Sequence, residues 1–510
     1  MKTHSFYILL LAVCISNSAC KKFLDVKPLD KLSGNVFWQS RSDVESFTSD
    51  QYANLRNKFT STSFIPATGE LRSGYILPTI LNNSNSVGEK NIRLVYTQFA
   101  TNNLKTNTGV LSSTQPWNGL SFDSITKWYE FYSVIQGANI LYERVNNGVP
   151  GLSGDDKKRY QAEAVFLRCL TYFFMVRLYG DVPYYTKAYQ QAPLPREKAV
   201  SVINQCIADL KANLDNLPLV YPDPALRAVR ATKGAALDLL MNMNMWNAGF
   251  DSGNKLKYYQ QTADLGSELI GSNVYQLLPL DNFSEVMKGR SNEGIFEFNQ
   301  SINYESAPNF RAFFGEIMLR YPNKNSGTDN SSSHAYFRAD YLLRLYPAGI
   351  ADKRKDLWFD NSMLSQDGNF QLLKFKGNLA SNQSSPEWGL IIFRFAEAIL
   401  LRAEALAELG GQDEEAIKML NMIRRRAVAP EYIGIGGQDL KNAIFNERCK
   451  ELMGEGHLYF DLIRTGRILN PQWTLNPLSA DQFARGGWTW PIDVSALYNN
   501  PYMKLNEYWQ

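Results

Sequence analysis

The stretch "FRFAEAILLRAEALAELGGQDEEAIKMLNMIRRRA" constrains this chain more than any other. Apolar and small residues recur in it at three- and four-residue steps, the period that gives a helix one buried face. Gly410-Gly411 interrupts the pattern, so the text reads as two helices folded back on each other. Ala398, Ala403, Ala405 and Ala416 keep the contact thin enough for close approach, and Leu420 and Ile423 fill the far side. This is a helix hairpin of tetratricopeptide (TPR) type, although the usual Gly and Tyr of the first helix are missing and the period is irregular.

The same grammar recurs elsewhere. "DDKKRYQAEAVFLRCLTYFFMVRLYGDVP" places Ala162, Phe166, Cys169, Phe173 and Val176 on one face, and Gly180 with Pro183 ends the helix. Amphipathic segments follow at about 197–214, 232–247 and 257–270, and "DLKNAIFNERCKELMGEGHLYFDLIRTG" reads as one last long helix. The expected fold class is all-α.

Two stretches break the pattern. Residues 60–122 and 299–335 are rich in Ser, Thr, Asn and Gly, with scattered aromatics and little periodicity. Loops of this length inside a compact domain usually carry function or are disordered. They hold Tyr75, Trp117, Tyr304, Phe310, Phe313, Phe314 and Tyr321. Aromatic faces in polar loops suit binding, though some of them serve to pin a loop down.

The front end has its own order. Lys2 and His4 give a short basic start, residues 6–15 are apolar, and residues 16–19 are small or polar. That is the layout of a secretory signal peptide. Its apolar part is well short of the ~20 residues that span a bilayer as a helix, and charges interrupt every later apolar run. A cysteine at position 20, directly after the small residues, suits bacterial lipoprotein processing, which acylates that thiol. Asn17 stands where such boxes prefer Leu, while Cys14 has Leu11 in that place but the bulky Val13 before the cut. The expected organisation is therefore a signal peptide at 1–19, a lipidated tether at 20–40 and a single domain at 41–510. A plain secreted chain with an incidental cysteine is the alternative.

Composition excludes several classes. The net charge of +3 comes from interspersed acids and bases, so no broad nucleic-acid surface is expected. With only His4, His334 and His457 present, and no Cys/His spacing for a metal, zinc cages and His-dependent triads are poorly supplied, and no cofactor is expected. Cys169, Cys206 and Cys449 sit in helix-like text with apolar neighbours and read as buried free thiols rather than a disulfide.

From end to end the text resembles the SusD/RagB family of outer-membrane nutrient-binding lipoproteins. The resemblance begins at "CKKFLDVKP" and continues through "WYEFYSVIQGANILYERV" and "AEAVFLRCLTYFFMVRLYGDVPY". "RATKGAALDLLMNMNMW", "NEGIFEFNQS" and "FRFAEAILLRAEALAELG" follow in order, then "ERCKELMGEGHLYFDLIRTGR" and a terminal "NNPYMKLNEYW". The resemblance implies about four TPR-like helix pairs under irregular ligand-binding loops. It implies a lipid anchor in the outer membrane facing the exterior, and a partner, a SusC-like TonB-dependent transporter that the protein covers as a hinged lid. The implied ligand is an oligosaccharide or polysaccharide, and in some members a peptide.

Candidate residues follow from the loops and the resemblance together. Trp117 lies in "SSTQPWNGLSFD", where related proteins present binding groups; its indole face suits the apolar side of a sugar ring, and Asn118 offers a donor and an acceptor to hydroxyls. Glu70, Arg72 and Tyr75 in "TGELRSGY" come second, because such side chains fork around hydroxyls or a carboxylate. Tyr304, Arg311 and Phe314 come third. Trp128 and Tyr129 occupy the helix motif and are expected in the core.

Glu447, Glu451 and Glu455 recur every four residues near Arg448, Asp461 and Arg464. Glycosidases use two carboxyl groups about 5–10 Å apart, but intrachain ion pairs and helix stops explain this text more simply. His457 is expected as a satisfied interior residue, and "IRRRA" as a solvated or scaffold-pairing run. A binding protein is therefore expected rather than an enzyme. A surface glycoside hydrolase, which would draw on Glu70, Glu89 and Asp123, is the alternative. A pure assembly scaffold would leave the aromatic loops unexplained.

Overall fold

A computed structural model describes residues 37–60, 64–79, 96–104, 125–300, 314–323, 331–378, 388–493, 495–498 and 500–510. Helices dominate them. The main ones are α1 (Arg41–Thr60), α2 (Tyr129–Asn147), α3 (Gly154–Tyr179), α4 (Ala199–Asn213), α5 (Lys233–Phe250) and α6 (Lys255–Gly271). After an irregular middle come α7 (Phe395–Leu409), α8 (Asp413–Arg426), α9 (Gln438–Glu451) and α10 (Leu458–Arg464).

Their ends have local causes. The Ser153 hydroxyl accepts from the Asp156 N–H, and Asp155 and Asp156 add negative charge at the positive end of α3. Thr232 caps α5 in the same way through the Ala235 N–H. Helices α2 and α3 pack as a pair, as do α5 with α6 and α7 with α8, while α6 and α9 also press against α7. This is the expected all-α, TPR-like scaffold. The period in α3 indicates one buried face, yet every residue from Ala162 to Tyr179 is buried. Its aromatic and aliphatic side chains are covered on several sides, by α1, α2, α4 and α5.

Two small antiparallel sheets join distant segments. Strand β1 (Ile76–Pro78) pairs with β3 (Ala335–Phe337), placing Ile76 opposite Phe337. Strand β2 (Gly294–Gln300) pairs with β4 (Trp388–Arg394), with the register shifting around Phe296. One apolar cluster runs from Tyr52 to Met503, and a smaller one joins Val44, Leu141, Val145, Val149, Tyr160 and Ala164. Cys169, Cys206 and Cys449 are buried and free. Among the described residues no helix is long and apolar enough to cross a membrane.

The expected last long helix is two helices. Residues 452–457 turn sharply between α9 and α10, with Gly454 and Gly456 at φ of +81° and +88°, a region open to glycine and costly for other residues. The expected early polar loop also differs. Residues 64–76 are all buried and form a wedge of short helices leading into β1. Gly69 lies so tightly on this turn that an added Cβ would stand 2.1 Å from the Gly456 carbonyl oxygen.

Candidate ligand-binding site

Four of the sequence-predicted ligand residues are interior. The Glu70 side chain is 0% exposed and its Oε1 accepts from the Gly456 N–H at 2.7 Å. Burial pushes its carboxyl up to about 8, so it is neutral at pH 7 and faces the chain's own turn. Arg72 donates through Nε and Nη2 to Asn102 Oδ1, and through both Nη atoms to the carbonyls of Gly487, Trp488 and Thr489. Its guanidinium lies over the Tyr459 ring at 4.7 Å. These are bonds of a buried staple between the wedge and the C-terminal segment.

Tyr75 stacks on Tyr341 with ring centroids 4.0 Å apart, and its hydroxyl accepts from Arg344 Nη2 at 3.0 Å. Phe314 packs against Phe337 and Phe375 and is 2% exposed. Glu70, Arg72, Tyr75 and Phe314 therefore hold the base of the loops and are not presented to a ligand. Trp117, Asn118, Tyr304 and Arg311 lie outside the described residues, as do Cys20, Glu89 and Asp123.

The neutral state of Glu70 has a direct test. Glu70→Gln keeps the acceptor for Gly456 and the shape of the neutral acid, so its stability should stay within about 0.5 kcal/mol of the parent. Glu70→Ala leaves the Gly456 N–H unpaired beside a hole and should lose about 2–3 kcal/mol. Denaturant unfolding separates the two, and an equal loss in both variants would show that the charged form is the native one.

Behind the wedge lies a dense cluster of buried charge. Glu451 is paired with Arg354 at 3.1 Å and with Arg394 at 2.8 Å, and Arg426 also bonds it. Glu447 meets Arg354 at 2.6 Å and Arg424 at 3.0 Å. Glu455 accepts from Arg394 at 2.7 Å and is bonded by Lys374. Burial pushes Glu455 up, but Arg394 and Lys374 outweigh it and bring it down to about 2. Nearby, Arg448 bonds Asp461 at 2.9 Å. The triplet of glutamates is thus paired with cations, as the ion-pair reading expects. His457 is half-buried between α9 and α10, and desolvation, then Arg448, pushes it down to about 3, keeping it neutral. Among the described residues no group of three His, Cys, Asp or Glu is placed to hold a metal.

The arginine run divides by position. Arg425 is a surface partner of Glu431, whereas Arg426 reaches into the cluster. The scaffold's charges therefore bind the scaffold to itself.

A solved structure of a SusD homolog from Bacteroides thetaiotaomicron matches this architecture with a TM-score of 0.83 and 37% identity, covering 93% of this chain and 100% of that one. The chain belongs to the SusD family. The SusD family model matches residues 360–509, and a second, described as "Starch-binding associating with outer membrane", matches residues 22–243. SusD-like protein P38 of Formosa agariphila is 26% identical over 98% of this chain and 97% of its own length. The starch-binding protein SusD of Bacteroides thetaiotaomicron is 23% identical over 70% of this chain and 74% of its own.

On this SusD scaffold two tyrosines stand at the surface at opposite ends of α2. Trp128 is buried, as expected, but Tyr129 beside it is 51% exposed, against the expectation that both are core. Tyr129 falls off the buried face that Phe131, Val134, Ile135 and Ala138 define on α2. Tyr189 is 46% exposed with its ring beside Arg144, and sequence reasoning missed it. The available signal was the polar, proline-bounded context of "PYYTKAYQQAP", where nothing periodic calls for burial.

Proposed function

We propose that this SusD-family chain is a non-catalytic cell-surface lipoprotein that binds a glycan and passes it to a SusC-like TonB-dependent transporter in the outer membrane. The observation that carries this reading is the match of residues 22–243 to the family described as starch-binding and outer-membrane associating. A starch-binding relative over most of the chain supports it. The ion pairing of Glu447, Glu451 and Glu455 is consistent with it, since these carboxylates serve the scaffold. In this reading residues 1–19 are removed, Cys20 carries the lipid, residues 20–40 are the tether, and 41–510 form one binding domain. Trp117 and Asn118 are the principal ligand groups, with Tyr304 and Arg311 as further ones. A tether of about twenty residues keeps the capture protein close to the channel it serves while letting it swing.

Affinity electrophoresis tests the reading. A soluble chain starting after Cys20 should be retarded by one polysaccharide from a panel of starch, laminarin, xylan, mannan and mucin glycans. Trp117→Ala should lose tenfold or more of that retardation, because an aromatic platform against a sugar ring is a dominant contact. Shortening of the bound glycan would favour a hydrolase. Retardation by none would turn the reading toward peptides.

A further inference from the structure

We propose that the internal cavity between the wedge, the short helix Ala339–Leu345 and α9 is a binding site for one ordered water molecule, which joins Glu70, Tyr341 and Arg448. The inference is independent of the glycan-binding reading above.

The cavity brings together three unpartnered polar atoms. Glu70, Tyr341 and Arg448 all line it, and they are 0%, 2% and 2% exposed. Glu70 Oε2, Tyr341 Oη and Arg448 Nη1 have no hydrogen-bond partner among the described residues. Each side chain is otherwise fixed. Glu70 Oε1 accepts from the Gly456 N–H at 2.7 Å, and the Tyr341 ring stacks on Tyr75 at 4.0 Å. Arg448 Nε and Nη2 donate to the two oxygens of Asp461 at 2.9 and 3.2 Å. To seek a partner elsewhere, any of the three would have to give up one of these contacts. Buried polar groups are otherwise paired almost without exception, by protein or by ordered water.

Size and charge together select the occupant. The cavity leaves about 10 Å³ for the centre of a water, enough for a single molecule and not for a larger ligand. Phe337, Leu452 and Leu458 close its apolar sides. The charge of Arg448 is already met by Asp461. Burial keeps the Glu70 carboxyl neutral at pH 7 and pushes the Cys449 thiol up to about 12. An anion would therefore face Asp461 and a cation would face Arg448, each without a free counter-charge. A neutral molecule that both donates and accepts suits the site.

The protons can be placed. Because Oε1 accepts from Gly456, the proton of the neutral acid belongs on Oε2, which must donate. Arg448 Nη1 is also a donor. The two lone pairs of a water accept both bonds, and one of its protons goes to Tyr341 Oη. That hydroxyl lies toward the Cys449 thiol but outside hydrogen-bond geometry, so its lone pairs are open. The water is then the acceptor of the Glu70 proton. It also ties the wedge to α9 by a link separate from the Gly456 bond and the Arg72 staple.

High-resolution crystal structures of the full folded chain, with and without a bromide soak, test the site. One density peak should lie about 2.5–3.2 Å from Glu70 Oε2, Tyr341 Oη and Arg448 Nη1, with no anomalous signal from bromide. Glu70→Gln should keep the peak, since its amide N–H replaces the acid proton. Tyr341→Phe should lower the thermal midpoint by about 1–2 °C, the effect of one net hydrogen bond in a chain of this size. In a dry cavity the same substitution removes an unpaired hydroxyl, and the midpoint would stay level or rise. A cavity without density would overturn the proposal, as would Glu70 and Tyr341 bonded directly to each other. A bromide peak would overturn it in favour of a halide. A level or raised midpoint in Tyr341→Phe would overturn the three-way junction.

Discussion

Arg394→Met destabilises the fold by about 3–5 kcal/mol, the scale for removing one partner from a buried ion pair. The side chain is 0% exposed and all five of its N–H groups are used. Nε donates to Glu455 Oε2 at 2.7 Å, and Nη1 donates to Glu293 and Glu451 at 2.8 Å. Nη2 completes the set on the Glu451 carbonyl and Glu455 Oε1, each at 2.8 Å. Methionine fills similar space but leaves three carboxylates short of a cation in a dry interior. The loss therefore measures stranded charge, not the net worth of the cluster.

Arg394→Lys should fall between the two, since a point-like ammonium restores charge without the planar fork. Arg425→Ala is the control: that pair is about half exposed and should contribute no more than about 0.5 kcal/mol. Thermal and denaturant unfolding of the three variants give the order, and a near-parental Arg394→Met would refute the account. The functional consequence lies in the position of the cluster. It joins the end of β4 to the 452–457 turn, on which Gly69 and Glu70 rest. Loosening it should therefore disturb the base of the early loop as well as the core.

The helical scaffold was readable because a 3.6-residue period survives in one sequence: α4, α5, α6, α7 and α8 all begin and end within a few residues of their expected limits. That Glu447 and Glu451 serve ion pairs was also readable, but their partners were not: Arg354, Arg394, Arg424 and Arg426 all come from outside α9. The fate of Glu70 and Arg72 was not readable either. Their partners, Gly456 and residues 487–489, stand 386 and 415–417 residues away in sequence. A polar side chain looks solvent-exposed until such a partner is known. The break between α9 and α10 was signalled by "GEG", but the apolar residues on either side carry the helical period across it. Phe314 was misjudged for a related reason, because an aromatic in polar text reads as a loop group when its packing partners, Phe337 and Phe375, are distant. The residues proposed to meet the ligand, Trp117 and Asn118, have no periodic signal at all, and the proposal rests on residue chemistry and the family resemblance.

Stability should peak near pH 5 and fall toward pH 8, because of which buried groups hold protons. Burial pushes Glu70 up to about 8 and Glu297 up to about 7. Burial, then the neighbouring Glu397, raises Asp238 well above its usual range; Glu397 is itself raised by burial, against the pull of Arg448. Asn242 Nδ2 donates to both carboxyls, at 3.1 Å to Asp238 Oδ1 and 3.4 Å to Glu397 Oε1. For all four groups the native state binds protons that the unfolded chain, titrating near pH 4–4.5, has released. Stability from these groups is complete below pH 4 and is lost as pH rises toward their native values, by about 1.4 kcal/mol per pH unit for each net proton.

The acid side has the opposite sign. Burial pushes Glu451 and Glu455 up, but their arginines outweigh it and hold both low, and Arg448 and Arg464 do the same for Asp461. Stability from these three is present above pH 4.5 and lost below it. His457, pushed down to about 3, opposes the alkaline limb between pH 6.5 and 4.5, but it is one group against several carboxyls. Unfolding midpoints measured from pH 3 to 9 give the profile. Glu70→Gln and Asp238→Asn should each flatten the limb above pH 5 and leave the acid limb in place. A midpoint that climbs steadily from pH 5 to 8 would mean these carboxyls are ionised in the native state. The cations nearest them, Lys374 for Glu70, Arg290 for Glu297 and Arg448 for Asp238, would then outweigh burial.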